Sequence, residues 1–122
     1  MARAGAMTHS AGGALGKRLA GERVRFRKAG ENIAMEKVYA VLGRPIATRS
    51  RGCSFVYADT GATAPRHSYA SLARSTVARW MASPGHRRNI LEAGFRRMGA
   101  GFAVDEGGAL CGDVYVAQIF AG

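Results

Sequence analysis

Residues His67–Leu91 read HSYASLARSTVARWMASPGHRRNIL, and the organisation of the chain turns on them. Tyr69, Leu72, Ala73, Thr76, Val77, Trp80 and Met81 recur at the i, i+3, i+4, i+7, i+8 spacing that gathers side chains on one side of a helix. Arg74, Ser75 and Arg79 take the other side. Pro65 precedes the run, and Ser68 or His67 can cap its first turn. Ser83-Pro84-Gly85 stops it. Ser83 is expected to cap a second, short helix with its hydroxyl committed to backbone N–H groups, and Pro84 suits that helix's first position, where a missing N–H costs nothing. His86 then falls in the first turn of the second helix, close to the end of the first, with Trp80 beneath it. Trp80 and Tyr69 are expected in the core, and His67 as a cap or a solvated side chain.

Gly94 marks the end of the short helix. Beyond it Met98, Ala100, Phe102 and Val104 alternate with Gly99, Gly101, Ala103 and Asp105, which predicts a strand with one face buried. Glu106-Gly107-Gly108 begins a turn, and Val114–Ile119 alternates as the partner strand. Upstream, Gly12-Gly13 gives a turn, and Ala14 to Arg23 or slightly beyond reads as a helix with Leu15, Leu19 and Phe26 on one side. Arg23–Arg27 also alternates in the strand manner. Gly30-Glu31-Asn32-Ile33 reads as a tight turn that points Glu31 into a cleft and Ile33 into the core, with Asn32 making a turn or cap bond. Residues 35–66 hold only short apolar runs, Val38–Leu42 and Cys53–Tyr57, punctuated by Gly43-Arg44-Pro45 and Asp59-Thr60-Gly61. No internal repeat is visible.

The 122 residues suffice for one domain, 1–122, with one core. At 48% hydrophobic residues the chain should fold. No apolar run approaches the roughly 20 residues of a membrane helix, and Met1–Gly5 leads into no apolar segment of a signal peptide. The net charge is +10, mostly from arginine. Such a surface attracts nucleic acid, anionic lipid and acidic polymers alike, although a general arginine bias explains it equally well. One Trp and four Tyr, not interleaved with the basic residues, argue against a specific nucleic-acid platform. Cys53 and Cys111 allow one disulfide or two free thiols but not a four-thiolate zinc site.

Three motifs in order carry a resemblance. Trp80–Leu91, Gly30-Glu31-Asn32-Ile33, and Met98-Gly99-Ala100-Gly101 followed by Val114–Phe120 resemble the bacterial members of the CAP superfamily (cysteine-rich secretory proteins, antigen 5, pathogenesis-related 1). The likeness runs from about His9 to Gly122. It implies an α+β fold, an α-β-α sandwich with a small antiparallel sheet. It also implies an extracellular or periplasmic location, where Cys53 and Cys111 would pair. Against that pattern the family's first helix, with its H-N-x-x-R motif, is expected to be missing, and residues 35–66 look like an insertion. A core face left uncovered in this way would invite dimerisation.

The same resemblance makes His9, Glu31 and His86 the lining of a ligand cleft, with Ser83 at the position of the family's second acid. Two imidazoles and a carboxylate can hold a divalent metal such as zinc, with one position open to water, or an imidazole polarised by Glu31 can act as a general base. His86 can equally be a structural histidine, and Glu31 can serve only to hold the backbone of its motif. There is no Gly-x-Ser-x-Gly elbow and no His-Glu-x-x-His. The leading expectation is therefore a non-enzymatic binding domain for a small ligand, lipid among the candidates, or for a partner or envelope component. The alternatives are a metal-assisted hydrolase of peptide or ester bonds using His9, Glu31 and His86, and a basic domain docking on anionic envelope polymers or lipid.

Overall fold

The computed structural model describes residues 14–48 and 53–122. Its elements are α1 (Leu15–Gly21), β1 (Ala29–Lys37), β2 (Ile46–Thr48), β3 (Phe55–Tyr57), α2 (Tyr69–Ala82), α3 (Pro84–Leu91), β4 (Arg97–Asp105) and β5 (Asp113–Ala121), with a short 3-10 turn at Ala109–Cys111. β5 lies in the middle of an antiparallel sheet ordered β1-β5-β4, and β2 pairs with β3 in a second small sheet. Among the described residues no helix is long and apolar enough to cross a membrane.

Register assigns the faces. Opposite residues of an antiparallel pair share a face, and neighbours along a strand alternate. Glu31 and Ile33 therefore share one face with Ile119 and Ala117, while Asn32 and Ala34 share the other with Gln118 and Val116. Arg18 of α1 reaches Glu31 on the first face. Thr76 of α2 and Asn89 of α3 reach Glu36 and Asn32 on the second. The layers are thus helix, sheet, helix: the α+β sandwich expected from the sequence.

Several local expectations change. α1 is shorter than the 14–23 reading. Arg23 takes a left-handed conformation (φ 59°), and Val24 N–H returns to the Leu19 carbonyl, so the helix is capped before Phe26 can join its apolar side. Phe26 is exposed. The Gly30–Ile33 segment is strand, not turn. Gly30 is needed for close approach: a Cβ there would sit 2.8 Å from the Phe95 ring. Helix α2 buries only the narrow stripe Leu72, Thr76 and Trp80, leaving Tyr69 79% exposed instead of in the core. β4 has no buried face. Eight of its nine residues are exposed, because α2 and α3 pack over β1 on the far side of β5.

The insertion-like segment has its own packing. Phe55, Tyr57 and Ala64 form a buried cluster with Tyr39, Ile46, Leu110 and Cys111 against it. The Tyr57 hydroxyl donates to the Ala40 carbonyl. Cys53 and Cys111 form a disulfide across a sequence separation of 58, tying the segment to the turn before β5. Closing a loop of that size restricts the unfolded chain by about 4 kcal/mol in the chain-entropy account. A second core cluster, Val38, Leu72 and Val114 with Tyr39 and Val116, lies where the segment leaves β1 and passes beneath α2.

Candidate functional site

The α2–α3 junction is built as the sequence spacing implies, with one exception. Ser68 and Ser71 form a reciprocal capping box at the start of α2, and Pro84 occupies the first turn of α3. Trp80 is buried beneath the junction, and its indole N–H donates to the Ile33 carbonyl at 3.0 Å. The exception is Ser83, which makes no side-chain cap bond. Its Oγ lies 2.9 Å from His86 Nδ1. Hydroxyl and imidazole hold each other, Ser83 donating to Nδ1 or Nδ1–H donating to Ser83, so that Nε2 is the ring nitrogen turned away from this bond. The imidazole also leans over the indole of Trp80, with centroids 6.5 Å apart.

What fixes α3, and with it His86, is Asn32. This side chain is fully buried. Its Nδ2 donates to the His86 carbonyl at 3.1 Å and to Gln118 Oε1 at 3.3 Å. Its Oδ1 accepts from Asn89 Nδ2 at 2.9 Å, and the same Asn89 group reaches the Glu31 carbonyl. A buried amide with its donors and acceptor all satisfied specifies one arrangement, because any displacement strands a polar group without water. Sequence reasoning assigned Asn32 a turn bond and passed over Asn89 and Gln118. The available signal was a polar residue whose neighbours two positions away on either side, Gly30 and Ala34, are apolar.

Glu31 is buried on the other face of β1, where Arg18 of α1 pairs with its carboxylate at 2.9 Å. The Arg18 pair at the Glu31 carboxylate and the Asn32 side-chain bond to the His86 carbonyl therefore lie on opposite sides of the sheet. Among the described residues no ion pair joins the two, and no three His, Cys, Asp or Glu side chains cluster as metal donors. His9, the third member of the expected set, lies outside the described residues. At the far end of α3, the Lys28 ammonium 2.8 Å from Glu92 holds that carboxyl below the ordinary range, and the Gly94 N–H adds to the effect.

The model of the Cysteine-rich secretory protein family, CAP, matches residues 9–120. The chain belongs to this family. No curated protein and no solved structure matches it. The match spans all three motifs of this CAP domain, so the Trp80–His86 junction and the Glu31 strand lie inside the family's own frame.

A second feature of the CAP domain is a groove of about 970 Å³ between α2 and the chain leaving β1. Met35, Ala40, Val41, Leu42 and Pro65 give it an apolar lining, and Lys37, Arg74 and Arg79 bring cations to it. Lys37 is paired with Asp113, and Arg79 with Glu36. Arg74 is exposed and makes no ion pair among the described residues. His67 also lines the groove, its Nδ1 held 2.9 Å from Ser71 Oγ.

Proposed function

We propose that this CAP domain is an exported, non-catalytic binding domain whose ligand is a small amphiphile with an apolar body and an anionic head. The observation that carries the reading is the groove: its size suits a small molecule, and its lining is mostly apolar with a few convergent polar groups. Arg74, which pairs with no carboxylate among the described residues, supplies the cation for the head group, and the net charge of +10 favours anions at longer range. Export is supported by the secretory family and by a disulfide, a bond that persists in oxidising compartments. Titration with a fluorescent long-chain carboxylate tests it. Arg74→Glu should weaken binding on the order of tenfold, the effect of about 1.4 kcal/mol lost from a charge-assisted contact. Equal binding of the uncharged alcohol of the same chain length would count against head-group recognition, and no binding of either would end the proposal.

Hydrolysis is the second reading, and the Ser83–His86 contact is the observation in its favour. Acyl transfer would use Ser83 as nucleophile and His86 as base. The metal-assisted form would use His9, Glu31 and His86. Ester hydrolysis that survives both Ser83→Ala and His86→Ala removes the first. Metal analysis of the purified native chain beside Glu31→Ala decides the second.

A further inference from the structure

β4 is an edge strand, and among the described residues no element pairs with its outer side. Natural edge strands are ordinarily guarded by internal charges, prolines, bulges or a covering element. Among the described residues β4 has none of these between its ends. From Met98 to Val104 it reads MGAGFAV, and its register with β5 is unbroken. Met98, Phe102 and Val104 are 59%, 51% and 48% exposed on one face, with the exposed Tyr69 ring 5.6 Å from Phe102.

We propose that β4 pairs antiparallel with β4 of a second copy about a two-fold axis at Gly101, joining two three-stranded sheets into one of six. The charges at the strand ends choose the partner. Arg97 donates to the Arg25 carbonyl and has no carboxylate partner among the described residues. Asp105 accepts the Gly107 N–H and has no cation partner among the described residues. Worse for Asp105, its neighbour across the ladder is Asp113, whose charge is already taken by Lys37 at 2.6 Å. Like charges directly opposite destabilise a sheet, and opposite charges stabilise it. The axis at Gly101 sets Arg97 against Asp105 of the second copy, and Asp105 against its Arg97, on the same face. The row across the sheet then reads Lys37, Asp113, Asp105, Arg97, with the final cation from the second copy. The other face gains Met98 against Val104 and Ala100 against Phe102, an apolar pairing. Every other register sets Arg97 against a residue other than Asp105. The pair is closed, because a two-fold contact uses each edge once.

Sedimentation of the full chain at physiological ionic strength tests this. The native protein should run at twice 12.9 kDa. Arg97→Asp and Asp105→Arg should each shift it to the monomer mass, and the two together should restore the dimer. Ala100→Lys, at a position already exposed in the single chain, should also give monomer while circular dichroism stays native. A native chain that stays at 12.9 kDa across the concentration series overturns the proposal. So does a charge-reversal pair that fails to regain the dimer while remaining folded, or a native chain that assembles without stopping at two.

Discussion

β1 and β4 are both nine residues long and both pair along their full length with β5, yet their environments are inverted. β1 carries two glutamates and an asparagine, and all three are buried. β4 carries Met98, Phe102 and Val104, and all three are exposed. The difference lies in what packs on each strand. Every buried polar group of β1 has a partner arriving from a helix: Arg18 for Glu31, Asn89 for Asn32, and Ser75, Thr76 and Arg79 for Glu36. β4 receives no such cover among the described residues. Hydropathy sets the cost of burial, but tertiary partners decide where burial happens.

The contrast can be broken at three places. Trp80→Ala should be most severe, costing about 3–5 kcal/mol in urea denaturation, because it empties the space under the α2–α3 junction and abandons the Ile33 carbonyl. Asn32→Ala should cost about 1–3 kcal/mol by stranding Asn89 and the His86 carbonyl. Its finer signature is altered His86 ring shifts in NMR spectra, since α3 loses its tie to β1. The matching change on β4, Phe102→Ser, should alter stability by less than about 0.5 kcal/mol when measured dilute enough for the chain to be monomeric. A large loss there would mean that β4 is covered after all.

The smallest effect concerns pH. Glu92 is held below its ordinary value by Lys28. A carboxyl whose folded value is depressed contributes stability that is present above its unfolded value and disappears as pH falls through the lowered one. Thermal melts from about pH 5 to about pH 3 should therefore show the native chain losing slightly more than Lys28→Met. Asp59, lowered by Arg44, works in the same direction on the insertion-like segment, and both groups are exposed enough for salt to weaken them.

Legibility followed the locality of the forces. The α2–α3 pair was readable because the spacing of Leu72, Thr76 and Trp80 and the Ser83-Pro84 break act within a few residues. The β4–β5 hairpin was readable as two alternating strands, and the layered α+β fold followed from motifs in order. The role of Ser83 was not, since a hydroxyl at a helix start has two bonding choices and only the position of the His86 ring selects between them. Gly30 misled for a related reason: glycine serves a tight turn or a close approach, and the Phe95 ring that requires the latter is 65 residues away in sequence.

By itself, then, the sequence determined the elements with a strong local period, the helix punctuation and the family frame. Tertiary structure alone decided that Glu31 pairs with Arg18, that Asn32 fastens α3, and that β4 leaves Met98, Phe102 and Val104 exposed. Those outcomes depend on which side chains meet across β5, and a contact between residues 57 or 86 positions apart leaves no periodic trace along the chain.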